Sequence, residues 1–187
     1  TLTARIIQIF YYTNLVEGFK FLIGILGKGK ERRYKNFAID LFIVFKWFLI
    51  GTIWLTEKSN IFLTILVSYL IWTNLFTYFY YHVWVTPKKI KPNKIRRRFI
   101  NLFLAFSYSN LSYAYLYDTY FKSHFNVAAG FDRKLSYLNY SNFNSLFSDY
   151  SLITPIDNTG YILTFSQLAV TFIFASIILS KTIPENG

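Results

Sequence analysis

The residues of this chain that could move protons or hold ions are few, and five of the nine acids and two histidines lie in one stretch. Asp118, His124, Asp132, Asp149 and Asp157 fall between two apolar runs. The other histidine, His82, sits in an aromatic cluster with Tyr78, Tyr80, Tyr81 and Trp84. General acid–base chemistry needs such groups gathered at one depth, and the spacing of these acids fits no such pattern. Cysteine is absent and there are only two histidines, far apart. Thiolate nucleophiles, cysteine-ligated metals and disulfides are therefore excluded. No catalytic residue, metal site or cofactor is expected, and the chain is not expected to be an enzyme. What remains to be explained is the polar, aromatic run NSLFSDYSLITPIDNTGYILTFSQ, residues 144 to 167, which carries Asp149 and Asp157.

The elements that must position this run are apolar. Of 187 residues, 53% are hydrophobic and 22% aromatic, which excludes a disordered chain. The length suits four to five membrane helices. The formal net charge is +11, and its location decides its meaning. Five basic residues lie at Lys28, Lys30, Arg32, Arg33 and Lys35, and seven at Lys88, Lys89, Lys91, Lys94, Arg96, Arg97 and Arg98. Both clusters flank long apolar stretches, which is the positive-inside pattern. Nucleic acid is not an expected partner, because no polar domain carries these charges. No signal peptide is expected at the start.

Residues 1–27 are long enough to span but are interrupted by Arg5, Glu17 and Lys20, so an interfacial helix is expected there. Phe37 to Leu55 reads as the first span, carrying Asp40 and Lys46, the lysine snorkelling or pairing with a neighbour. A polar turn, residues 56–60, leads to a second span from Ile61 to Val85, making 37–85 a hairpin. Pro87 and Pro92 break the helix in a basic loop. Phe99 to Tyr117 is the third span, with Ser107, Ser109, Asn110 and Ser112 along it, and Ile162 to Leu179 is the fourth. This topology puts both termini in the cytoplasm and 118–160 outside. That segment is far too long for a simple helix connection.

The run LFSDYSLITPIDNTGYILTFSQLAVTFIFASIILS, residues 146–180, resembles the pore loop and inner helix of potassium channels of the two-helix pore (ion channel 2) family. Their usual order is a pore helix, T-V-G-Y-G-D, I-T-P or I-x-P, a few polar residues, a glycine and an inner helix. Aligned without a gap, Phe147, Ser148, Asp149, Tyr150 and Ser151 fall on the filter, and Leu152 on the aspartate after it. Ile153, Thr154 and Pro155 match the ending, and Gly160 matches the inner-helix start. The resemblance implies a pore domain over 99–180: outer helix 99–117, pore loop 118–160 with a pore helix near 138–146, and inner helix 161–180. The fold class expected is therefore an all-α membrane protein. It would have four transmembrane helices, a re-entrant pore loop between the last two, and an N-terminal interfacial helix.

The filter departs from the family. Its glycines, which permit left-handed backbone, are replaced by Asp149 and Ser151. The cage of backbone carbonyls that replaces potassium's hydration shell is not expected here. Four Asp149 carboxylates around an axis would favour cations instead. Thr171 stands where the inner helix often has a glycine hinge. At helical spacing Thr164, Thr171, Ala175 and Ile178 share a face, with Gln167 at its edge. These either line a pore or hydrogen-bond to neighbouring helices. The function expected is a subunit of a homotetrameric channel, in contact with membrane lipids, passing monovalent cations with weak selectivity. The alternative is a non-conducting structural subunit of a larger membrane complex.

Overall fold

The computed structural model describes residues 15–26, 31–80, 92–128 and 132–182. They are mostly helical, and the chain divides into two units, Thr1–Thr56 and Glu57–Gly187.

In the first unit α1 (Leu15–Leu26) packs on α2 (Glu31–Leu55), with the rings of Phe19 and Phe42 5.7 Å apart. The rest of the expected 1–27 helix lies outside the described residues. Along α2, Ala38, Lys46, Ile50 and Ile53 are buried, while Val44, Phe45 and Phe48 are exposed. Lys46 therefore belongs to the buried stripe, and Asp40 is exposed.

The second unit opens with a turn in which Glu57 has a φ of 52°, a left-handed conformation uncommon for a residue with a Cβ. Asn60 then caps α3 (Ile61–Phe79), its Oδ1 accepting from the Leu63 N–H at 2.7 Å. Residues 81–85 of the expected second span, with His82, lie outside the described residues. α4 (Pro92–Asp118) starts two turns before the expected Phe99. Pro92, expected to break a helix, stands at the start of one instead, where the missing N–H of a proline would have no partner. The basic run 94–98 is thus helical.

Among the described residues three helical segments are long and apolar enough to cross a membrane: Phe37–Leu55, Ile61–Phe79 and Asn158–Ile178. α4 is not among them, because its second half is rich in Ser, Asn and Tyr. Those residues are nonetheless inside. Every residue from Ser112 to Asp118 is buried, so neighbours surround this end of α4 on all sides.

The expected 118–160 loop is highly structured. After α4 comes a short 3-10 turn, Lys122–His124, then β1 (Phe125–Val127), α5 (Arg133–Ser145), β2 (Ile153–Pro155) and α6 (Asn158–Thr182). β1 and β2 pair antiparallel with Phe125 opposite Pro155 and Val127 opposite Ile153. The sequence predicts an all-α chain, and this ribbon corrects it. Ile153-Thr154-Pro155, read as the end of a filter, is a strand of β-branched residues closed by a proline at its end. α5 begins at Arg133, ahead of the expected 138, because Asp132 is its N-cap: Oδ1 accepts from Leu135 N–H at 2.8 Å.

Gly160, in the first turn of α6, faces the carbonyl oxygen of His124. A Cβ there would lie 2.6 Å from that oxygen and 3.0 Å from Pro155 Cβ. The first obstacle is backbone and cannot swing away. Gly160→Ala is expected to destabilise the chain by about 1–3 kcal/mol, seen as a lower melting temperature in detergent. An unchanged melt would mean that the ribbon does not press on α6.

Candidate functional site

The second half of α4, α5 and the first three turns of α6 meet around a buried polar cluster. Gln167 on α6 is 0% exposed. Its Oε1 accepts from the Tyr117 hydroxyl at 2.7 Å and from Asn144 Nδ2 at 2.9 Å. Its Nε2 donates to the Ser141 carbonyl at 2.8 Å and to Ser141 Oγ at 2.7 Å. Both donors and both acceptor positions of the amide are thereby used. Ser141 Oγ in turn donates a hydrogen bond to the Asn110 carbonyl at 2.7 Å, and Asn110 Nδ2 donates to Ser145 Oγ at 2.9 Å. The Tyr140 and Thr164 hydroxyls are 2.9 Å apart. Around this cluster the rings of Tyr117, Phe125 and Tyr140 pack edge-on at 5.0 to 5.8 Å.

These contacts fix the path of α5. Its start is tied to the end of α4, where Arg133 Nε lies 2.7 Å from Asp118 Oδ1. Its end is tied to Asn110, about 12 Å back along α4 at 1.5 Å per residue. α5 therefore runs back alongside α4. The segment 146–152 returns to β2, which is paired with β1 near the end of α4. At the turning point α5 closes in a Schellman motif: Ser148 N–H donates to Phe143 carbonyl at 2.9 Å and Phe147 N–H to Asn144 carbonyl at 3.0 Å. The left-handed residue is Phe147, with φ 57°.

Of the filter-aligned residues, Phe147, Ser148, Asp149 and Ser151 are exposed, and Tyr150 is half-buried with its ring 5.2 Å from that of Phe143. Among the filter-aligned residues left-handed backbone occurs at Phe147, where the helix ends, and not at Asp149 or Ser151, which stand at the family's glycine positions. Of the residues read as pore-lining, Gln167 and Thr171 are buried inside the chain. Thr164, Ala175 and Ile178 are half-buried. In this conformation Gln167 faces α4 and α5, not an open lumen. The polar side of α6 has turned toward α5, itself a polar helix, and left Ile162, Phe165 and Phe172 outside.

Asp118, Asp132 and Asp157 are dispersed into structural posts, while Asp149 is exposed. Asp118 is buried against Arg133, and Arg133 also reaches Glu57 Oε1 at 3.1 Å, which Lys134 meets at 3.2 Å. These ion pairs hold the left-handed Glu57 turn. Tyr115 adds a hydrogen bond to the Lys58 carbonyl at 2.8 Å. Among the described residues no three His, Asp or Glu side chains form a group that could hold a metal.

His124 Nδ1 lies 2.6 Å from Asp157 Oδ2, an exposed pair that sequence spacing gave no sign of. Asp157 Oδ1 also accepts from the Gly160 N–H at 2.9 Å. The Gly160 N–H, and then His124, hold the Asp157 carboxyl below the usual carboxylate range. Lys134 and Arg133 do the same for Glu57. A carboxyl more acidic when folded binds fewer protons folded than unfolded. Its stabilisation is complete above the ordinary carboxylate pKa of about 4 and is lost as pH falls through the lower folded value. Melting temperatures should therefore fall between pH 5 and pH 3, and less steeply in Asp157→Asn. Equal slopes for both proteins would mean that the clip carries no such linkage.

No family model matches the chain, and no curated protein or solved structure is similar to it.

Proposed function

We propose that the chain is a subunit of a tetrameric channel that passes cations with weak selectivity. The observation that carries this reading is the path of α5. A short polar helix leaves the end of α4, runs back between α4 and α6, and turns around at an exposed segment holding Asp149. Backbone of that kind at membrane depth requires surrounding protein or a wet cavity. The exposure of Phe147, Ser148, Asp149 and Ser151 in a single chain leaves that enclosure to other copies. In this reading α4 joins the three apolar segments as a fourth span, α5 and 146–152 form a re-entrant loop, and α1 lies at the interface. The basic segments put both termini in the cytoplasm and the ribbon outside.

Planar-bilayer recording under asymmetric KCl tests it. The wild-type chain should show a reversal potential on the cation side, and Asp149→Asn should move it toward zero. A cation preference untouched by the substitution would remove Asp149 from the ion path.

One observation favours a non-conducting structural subunit. The exposed face of α6 presents Ile162, Phe165 and Phe172, a surface for packing on other helices. Native mass spectrometry separates the two: four copies fit the channel, and a stable monomer that passes no current fits the docking subunit.

A further inference from the structure

The Schellman motif that ends α5 holds Phe147 in left-handed backbone, with φ 57°. Glycine is the usual residue at that position, because a Cβ there is costly. Packing within the chain does not offset the cost, since Phe147 is 62% exposed. The next position of the motif often makes an apolar contact back to the helix, and here it is the exposed Ser148. The Phe147 ring therefore serves something outside its own chain.

What covers it follows from its neighbours. Phe143 and Leu146 are exposed beside it, and so are Ser148, Asp149 and Ser151. Lipid would suit the apolar side chains but would leave a carboxylate in hydrocarbon, which is costly. From Leu135 to Ser180 the sequence holds no Lys, Arg or His to neutralise it. Water would suit the carboxylate but would wet the rings. Copies of the chain around an axis meet both demands, since protein flanks each turn while its carboxylate faces a wet centre. In such a ring one patch of each copy meets a different patch of the next, at the same depth. Asn144 Nδ2, in the last turn of α5, donates to the Thr164 carbonyl at 3.3 Å and to Gln167 Oε1 at 2.9 Å. The turn is thus level with 164–167 on α6, where Phe165 is 70% exposed and Ile162, one turn away, is exposed too.

We propose that Phe147 of one copy packs on Ile162 and Phe165 of the next, closing a ring of copies around the Asp149 turns. The inference rests on the reading of 146–152 as a re-entrant turn enclosed by other copies, and it names the contact that encloses it.

The test is Phe147→Gly in the full chain, a variant expected to fold because glycine suits left-handed backbone. In micelles dilute enough to separate copies, its melting temperature should rise by about 2–4 °C. Its association, followed by native mass spectrometry over a dilution series, should weaken by about tenfold or more, as for a buried aromatic anchor. Phe165→Ala should weaken association to a similar degree. Adding Phe147→Gly to it should then weaken association by less than about threefold more, because one contact cannot be lost twice. A fall in both melting and association would make Phe147 a structural residue and overturns the proposal. So does association untouched by Phe147→Gly, two substitutions whose effects multiply in full, or a wild-type chain that stays single at every concentration. Bilayer recording separates the contact from conduction. Copies that part in Phe147→Gly, with no current from wild type, keep the contact and remove the channel. Cation current with copies that stay together in Phe147→Gly removes the contact and keeps the channel.

Discussion

Replacing Gln167 by alanine is expected to cost about 2–3 kcal/mol of stability. Hydrogen bonds between helices in a membrane average roughly 0.6 kcal/mol each, and this amide makes four. The substitution also leaves the Tyr117 hydroxyl and Asn144 amide facing a void, and a buried polar group without its partner costs about 1–3 kcal/mol. Ser166→Ala is the control. It removes a 3.1 Å contact with the Tyr113 hydroxyl and a bond to the Leu163 carbonyl of its own helix, and should cost under about 1 kcal/mol. SDS titration of the chain in mixed micelles, followed by tryptophan fluorescence, measures both. A Gln167→Ala midpoint no lower than that of Ser166→Ala would mean that the cluster does not hold α5 in place.

Arg133→Ala should cost about as much by a different route. The Asp118 side chain is 0% exposed beside it and Arg133 is 38% exposed. Removing one partner of a buried pair typically costs about 3–5 kcal/mol, because a charge stays inside uncompensated. The half-open guanidinium brings the expectation to about 2–3 kcal/mol. Removing Glu57, whose side chain is 56% exposed, should cost clearly less than removing Arg133. The informative variant is Asp118→Leu/Arg133→Met. With both charges gone most of the loss should return, since packing can replace a buried pair. A double variant as unstable as Arg133→Ala would show that shape, not the stranded carboxylate, sets the cost.

The apolar helices were legible because each is a long run bounded by polar punctuation. The segments 37–55 and 61–79 appear where hydrophobicity and length put them. α5 was half legible. The Ser and Asn residues that anchor it look like loop residues, and only Asp132, a capping residue ahead of Arg133-Lys134-Leu135, marked its true start. The ribbon was not legible, since three residues are too few for a period-two pattern to show. The His124–Asp157 pair was hidden for the same reason, because strand register, not sequence spacing, brings it together. Gln167 illustrates a further limit. Helical periodicity says which residues share a face of α6, but not which neighbour that face meets. The signal that could have decided it lay in α5, whose Ser136, Ser141, Asn144 and Ser145 are all buried and need polar partners on both flanking helices.

The polar cluster also constrains the order in which the chain can be assembled. Ser141 and Ser145 meet Asn110, which precedes them in synthesis, but Ser141 and Asn144 also need Gln167, which follows. A growing chain therefore presents α5 before the amide that completes its hydrogen bonding exists. Until α6 has been inserted, half of the polar face of α5 is better satisfied by water than by the interior. α6, made after α5, then completes the seat of α5, and truncation ahead of Gln167 would leave α5 held only by its bonds to α4.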